Sequence, residues 1–387
     1  MNFYYWSPFL SNVATVKAVL NSAISIKKYS RQINPFILNV VGEWNSFESR
    51  IKDNNLQTIS FHKSIKFYKN LPRYTYLKSR FSYLLISCVS LVKLYRFLAS
   101  RKKTDYIILH LITSLPLLLT IFFNFKCKFV LRISGFPKLN FFRMLLWKLA
   151  SKKLHKVSTP TKDTKNMLIQ KKIFEENLIC LVRDPIVNIN KINLDIKKKI
   201  EEDINAEKYI INVGRLTKQK NHQFLIDGFK KIKKKYKNLK LVILGEGELQ
   251  KNLMNKVKKM NLEKDIEFLG YKENVFKYYK NAFCFVLTSA WEDPGFVLIE
   301  AAATKTPIIS SDCKNGPKEF INLNERGYLY KNYDLNSFIQ TFDNFMSDYN
   351  LNKKKIDLKI FKAFKESKNY TKFSHYKEML KISEIDG

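Results

Sequence analysis

The second half of the chain alternates short apolar runs with longer stretches whose apolar residues recur every three or four positions, the two periods that distinguish buried strands from helices. Residues 209–213, 239–244, 266–269, 284–287 and 307–310 read as strands, and 222–236, 248–260, 275–280 and 295–304 as the helices between them. Strands spaced by helices of this length predict a parallel sheet with right-handed crossovers. The first half repeats the grammar less clearly. Strands are predicted at 3–6, 36–41, 128–133 and 157–159, a helix at 13–28, and a long amphipathic helix at 81–99.

Residues 106–123 are almost wholly apolar, close to the ~18 residues that flag a membrane span. His110, Ser114 and Pro116 interrupt the run. A strand at 106–111, a break at Thr113–Pro116 and a helix opening at Leu117 is the preferred reading over a transmembrane helix.

A chain of 387 residues exceeds the ~250–300 residues at which a single core stops growing. The expected organisation is a domain at 1–185, a polar linker at 186–206, a second domain at 207–360 and a closing segment at 361–387 with a helix at 370–382. Hydrophobic residues make up 45% of the chain and no repeat or low-complexity tract appears, which predicts a globular α/β protein.

Charge changes the picture. The formal net charge is +35; residues 1–190 carry 31 basic against 8 acidic side chains, and 191–387 carry 38 against 26. Such an excess attracts polyanions: nucleic acid, anionic headgroups or phosphorylated substrates. With 58 Lys against 11 Arg, drift toward AT-rich codons explains the same numbers. The five cysteines form no CxxC pair, so neither a zinc knuckle nor a disulfide framework is predicted, and a reducing cytoplasmic setting is expected. The first residues lack the basic start and small-residue cleavage site of a signal peptide.

Three segments of the second half carry candidate chemistry. Gly214-Arg215 and Lys220 follow a strand, where open α/β sheets bind ligands, and their fork and point charge suit a diphosphate. Trp291 to Ala302 runs from a strand through Pro294 and Gly295 into a helix whose first amides, Gly295 to Leu298, suit phosphate or sugar oxygens, with Glu292 and Glu300 as a carboxylate pair for hydroxyls. Asp312 to Phe320 is a further turn entering a helix at the same edge.

The order strand-Gly-Arg-x4-Lys, Gly-x-Gly after the next strand, and Glu-x7-Glu across a Gly-Phe turn resembles the donor domain of the retaining family 4 glycosyltransferases, over about 207–325 and more weakly over the whole chain. The resemblance implies the GT-B fold: two Rossmann-like domains facing a central cleft, with a C-terminal helix crossing back to the N-terminal domain. It implies that Arg215 and Lys220 bind the nucleotide diphosphate, that Glu292 contacts the donor sugar and Glu300 the ribose, and that the amides of Phe296 and Val297 meet the distal phosphate and sugar hydroxyls. Gly214, Gly245, Gly270, Tyr271, Gly295 and Leu298 complete the implied donor site. His110 is similar in place to a histidine near the reacting sugar, although a lone His in an apolar run is also an ordinary structural residue. Glu292, Arg215, Lys220 and His110 are thus the expected catalytic set. Ser11 to Thr15 stands where relatives carry a Gly-rich loop and has no glycine, so Arg132 and Ser134 join Ser11, Thr15 and His110 as acceptor-side candidates.

The activity so implied is hexosyl transfer from a nucleotide-sugar, UDP by preference, to a glycan or polyprenyl-diphosphate-linked acceptor in surface polysaccharide synthesis. No Asp-x-Asp pair sits at a strand end, so neither metal nor other cofactor is expected. The Arg101-Lys102-Lys103 cluster and the helix around Phe141 to Lys148 suit peripheral contact with the anionic inner face of the cytoplasmic membrane, and equally an ordinary core helix. Two other classes remain. A nucleic-acid-binding protein accounts for the charge but not the Glu pair, no recognition motif is present, and no nucleic-acid partner is expected. A GT-B phosphorylase or epimerase shares the architecture and acts without a second sugar acceptor.

Overall fold

The computed structural model describes residues 1–11, 14–62, 68, 71–72, 76–202, 204, 208–292 and 294–383. The chain forms two compact units, Met1–Ile186 with Lys372–Gly387, and Val187–Thr371.

The first unit is built on seven parallel strands: β1 (Asn2–Trp6), β2 (Asn34–Asn39), β3 (Gln57–Ser60), β4 (Tyr106–Leu109), β5 (Lys128–Arg132), β6 (Leu154–Thr159) and β7 (Ile179–Leu181). Their order is β3-β2-β1-β4-β5-β6-β7, so the winding reverses between β1 and β4. Alternate residues feed two cores. Tyr4, Trp6, Leu38, Ile107, Leu109 and Leu131 face one, and Phe3, Tyr5, Ile37, Tyr106, Ile108 and Val130 the other. A sheet buried on both faces explains why these strands read as unbroken apolar runs. Helices α1 (Ala14–Tyr29) and α2 (Glu48–Asp53) cover the second face, while α3 (Tyr76–Ala99), α4 (Ser114–Phe122), α5 (Phe141–Ser151) and α6 (Lys162–Gln170) cover the first.

The second unit has six parallel strands, β8 (Lys208–Val213), β9 (Leu239–Leu244), β10 (Ile266–Phe268), β11 (Cys284–Leu287), β12 (Ile308–Ser311) and β13 (Tyr328–Tyr330), in the order β10-β9-β8-β11-β12-β13. Its helices are α7 (Ile189–Asp195), α8 (His222–Lys235), α9 (Gln250–Lys259), α10 (Phe276–Asn281), α11 (Phe296–Ala303), α12 (Pro317–Ile321), α13 (Leu335–Leu351) and α14 (Lys353–Ser367). The winding reverses here between β8 and β11, the place where doubly wound sheets open a crevice at their carboxyl ends.

The last helix, α15 (Lys372–Ser383), packs on α1 in the first unit. His375 fixes it: Nδ1 lies 2.6 Å from the Arg183 carbonyl and Nε2 2.6 Å from Ser22 Oγ, itself 3.0 Å from Tyr5 Oη. A carbonyl only accepts, so Nδ1 carries the proton and Ser22 donates to Nε2. Burial holds this ring neutral, with its pKa lowered to about 3. Glu378 accepts from the Arg183 backbone amide at 2.6 Å and pairs with its guanidinium at 2.7 Å.

The apolar run at 106–123 is indeed a strand, a loop and a helix, β4 and α4, inside the first unit. The range 186–206 contains the short helix α7, with residues 203, 205 and 206 outside the described set. The long helix expected at 81–99 is α3. Its inward stripe is Ser82, Ile86, Ser90, Leu94 and Leu98, while Phe81, Leu84, Leu91 and Val92 point outward. Periodicity located the helix but not which stripe is buried, because both are largely apolar.

Candidate functional site

The loops that follow β8, β9 and β10 are tied backbone to backbone. Gly214 N donates to Leu244 O at 2.9 Å, Leu216 N to Glu246 O at 2.9 Å, and Gly245 N to Gly270 O at 2.8 Å. The approach is close enough to require glycine. A Cβ on Gly245, whose φ is +132°, would collide with the Gly214 carbonyl, and one on Gly247 with the Leu216 backbone. The Gly-x-Gly spacing is therefore first a packing requirement that holds the Arg215 loop in place. Gly270, with φ +66°, ends the third loop; Tyr271 beyond it is exposed, and its amide donates to Glu246 Oε1 at 3.3 Å.

From this support the chain makes a 3-10 turn at Lys218–Lys220, passes through Asn221 at φ +51° and starts α8 at His222. Lys220 Nζ forms an ion pair with the Glu292 carboxylate, and the two side chains are only 13% and 7% exposed. Ser289 Oγ donates to Glu292 Oε1 at 2.6 Å, and Thr288 Oγ1 to the Lys220 carbonyl at 3.0 Å. Gln219 Nε2 donates to Trp291 O at 3.0 Å and Ala290 N to Gln219 O at 2.8 Å, so the loops after β8 and β11 form one framework across the winding reversal. The third predicted segment joins it: Glu292 N donates to Lys314 O at 3.3 Å, and Gly316, at φ +116°, packs its Cα against the Pro294 backbone. Asp293 lies outside the described residues.

Arg215 sits on the same loop as Lys220 but is exposed, and its guanidinium finds no acceptor among the described residues. Gly295, at φ +88°, caps α11 without a side-chain hydrogen bond. The amides of Phe296 and Val297 find no acceptor among the described residues, whereas Leu298 N already donates to Gly295 O at 3.0 Å. Two open amides are thus left at this helix start. Glu300 is half-buried on α11, and after burial itself its charge is what raises the phenol pKa of Tyr279, whose Oη donates to Val297 O at 3.1 Å.

Three contributors escaped the sequence reading. Thr288 and Ser289 hold Lys220 and Glu292 in register; two hydroxyls directly after a buried strand were the available signal. His222 lies behind Lys220 with both ring nitrogens buried and without a hydrogen-bond partner among the described residues. Burial, then the neighbouring Lys220 charge, lowers its pKa to about 4, so it adds no positive charge at neutral pH.

The acceptor-side candidates lie in the first unit. His110 follows β4, donates its backbone amide to Trp6 O at 2.9 Å and places Nε2 2.6 Å from Ser134 Oγ, while Nδ1 is buried without a partner among the described residues. Burial, then the Arg132 charge, holds its pKa well below the usual histidine range. Arg132 points inward and pairs with the buried Asp184, so its charge is compensated inside the unit. Ser11 is exposed, Thr15 half-buried in the first turn of α1, and Asn12 and Val13 lie outside the described residues. Among the described residues no three His, Cys, Asp or Glu side chains group as a metal site.

Residues 195–357 match the family described as glycosyl transferases group 1. A Campylobacter jejuni protein, N-acetylgalactosamine-N,N'-diacetylbacillosaminyl-diphospho-undecaprenol 4-alpha-N-acetylgalactosaminyltransferase, is 36% identical over 191 residues, 48% of this chain and 52% of its own length. Another from that organism, GalNAc-alpha-(1->4)-GalNAc-alpha-(1->3)-diNAcBac-PP-undecaprenol alpha-1,4-N-acetyl-D-galactosaminyltransferase, is 27% identical over 337 residues, 84% of this chain and 89% of its own. In the matches of 36–38% identity the chain spans about half the length of the relatives or less, 36% to 52%. Among solved structures, Anabaena HepE in complex with UDP is 13% identical, superposes with a TM-score of 0.75 over 98% of this chain and 99% of its own, and shares the GT-B fold. The matched stretch, residues 195–357, is the one that carries Arg215, Lys220, Glu292 and Glu300.

Proposed function

We propose that the chain is a retaining, metal-independent hexosyltransferase of family 4 that moves a sugar from a nucleoside diphosphate, UDP first, to a glycan or polyprenyl-diphosphate-linked acceptor in surface polysaccharide synthesis. The observation that carries this reading is the Lys220–Glu292 ion pair at the winding reversal of the second sheet, with Arg215 open beside it. Lys220 neutralises Glu292 across the two loops. An arriving diphosphate takes Lys220 together with Arg215, and Glu292 turns to the sugar hydroxyls. The charge that builds on the leaving diphosphate meets fixed cations and the amides of Phe296 and Val297, which supply electrostatic stabilisation without a bound ion. Glu300 takes the ribose. The leaving phosphate accepts the acceptor hydroxyl's proton as the new bond forms on the same face and the sugar–phosphate bond breaks, and His110 serves on the acceptor side.

The UDP bound to the Anabaena structure supports the choice of base, and the diphospho-undecaprenol in the names of the two Campylobacter relatives supports a lipid-linked acceptor. Such an acceptor places the work at the inner face of the cytoplasmic membrane. The test is a thermal-shift panel of UDP-, GDP- and ADP-sugars, with Arg215→Ala and Glu292→Ala beside the wild type. A UDP-sugar is expected to stabilise only the wild type strongly; a panel without any hit refutes the reading. Turnover that a chelator abolishes and manganese restores refutes metal independence, and an inverted anomer by NMR refutes retention.

A further inference from the structure

We infer that the outer face of α3, α4 and α5 is a docking surface for an anionic lipid bilayer, with α3 lying along the interface instead of crossing it. The outer face of α3 is as apolar as its inner one, unlike that of a water-facing helix. The helix turns two serines, Ser82 and Ser90, into the unit and leaves Phe81, Leu84 and Val92 at 54%, 61% and 56% exposure. The neighbouring helices continue the pattern: Phe122 is 74% exposed at the end of α4, and Phe142 and Leu149 are 79% and 49% exposed on α5. These residues form one surface, because α4 packs against both α3 and α5 and the Tyr95 and Phe123 rings meet at 4.8 Å. Exposed apolar residues scattered singly are normal, but a contiguous set on three adjacent helices marks an interaction site.

The charge around this face selects the partner. Residues 76–153 contain 15 Lys and Arg, of which Arg132 is turned inward onto Asp184, and one acidic residue, Asp105. Asp105 is buried, and its carboxylate is occupied by Asn2 Nδ2 and the Lys102 amide. A second copy of the chain brings the same excess of positive charge, which opposes self-association. Anionic headgroups supply the complement while their acyl region takes the apolar ridge. Although Lys78–Ala99 is long and apolar enough to cross a membrane, its inward stripe is committed elsewhere. Ile86, Leu94 and Leu98 are part of the first unit's core, and Ser82 Oγ donates to Pro72 O at 2.7 Å. Crossing would require that core to open. The inference rests on the proposed function for what is reached at the surface, a lipid-linked acceptor, and not for the binding itself.

The test is cosedimentation of the full chain with phosphatidylglycerol–phosphatidylcholine vesicles and with phosphatidylcholine alone. Its partner is the triple variant Leu84→Glu, Val92→Glu, Phe142→Glu, whose changes all fall on exposed positions and whose folding is checked by circular dichroism. The wild type is expected to bind the anionic vesicles, to release as salt rises, and to be removed by an alkaline carbonate wash. The variant is expected to lose about a hundredfold in partitioning and to keep the UDP response of the wild type. Equal binding by the variant, or no preference for the anionic vesicles, overturns the docking face. Retention through the carbonate wash overturns the in-plane arrangement. If UDP-sugars fail while the vesicles bind, the proposed function falls and the docking surface stands.

Discussion

The two units wind their sheets the same way, with the reversal between β1 and β4 in one and between β8 and β11 in the other, yet they dress that position differently. The second unit sets a cation and a carboxylate in contact there, Lys220 and Glu292, and leaves Arg215 open beside them. The first sets the neutral His110 against Ser134 and turns its local cation, Arg132, inward onto Asp184. One scaffold thus yields a charged, cross-tied edge suited to a diphosphate and a neutral edge that holds a buried imidazole against a serine. The fold supplies the crevice, and the placement of compensated against uncompensated charge decides what each crevice takes.

The comparison breaks most visibly at the ion pair. Lys220→Ala or Glu292→Ala is expected to lower kcat/KM for sugar transfer by about a thousandfold, and the double variant by little more than either, since the two act as a unit. Steady-state kinetics check this, and simple additivity would show two independent contributors. A second break targets the support beneath the pair. Gly245→Ala is expected to destabilise the protein by about 3 kcal/mol, because its Cβ meets the Gly214 carbonyl at a left-handed φ. Urea denaturation reads that loss.

His110→Ala sharpens the contrast from the other side. UDP affinity is expected to stay at the wild-type value while transfer falls about a hundredfold, a split that calorimetry and kinetics together resolve. The smallest effect concerns pH. His375 binds its proton in the folded state only near pH 3, whereas an unfolded histidine does so near 6.5. Between those values the unfolded chain holds more protons, so stability falls as pH drops, by about 2 kcal/mol for this residue from neutral to about pH 5. Burial raises Glu43 to about 7, which acts in the opposite sense: the folded carboxyl takes its proton first and stability rises on acidification from about 7 toward 4.5. The measurement is therefore the difference in pH slope between wild type and His375→Asn, and a variant with an unchanged slope removes His375 from the account.

Most of the second unit was legible in the sequence because its strands are apolar runs closed by glycine, and because Arg215, Lys220, Glu292 and Glu300 sit in short local motifs. Strands β3, β7 and β13 were not. The first is a largely exposed edge strand with polar residues, and the other two have three residues each. Helix α13 did carry a readable period in Phe338, Phe342 and Phe345, which the sequence reading passed over. At the site, convergence of the two loops was readable but the ion pair was not, since Lys220 and Glu292 are 72 residues apart and no local rule joins them. The apolar outer face of α3 was equally hidden, because only packing shows that two of its serines face inward and Phe81, Leu84 and Val92 do not.

Titration calorimetry of UDP into the wild type and into the Arg215→Ala, Lys220→Ala double variant tests the central claim most directly. Saturable binding by the wild type that weakens at least about a hundredfold in the variant, with the folded spectrum retained, is the predicted result. Equal binding by both proteins, or none by the wild type, would contradict it.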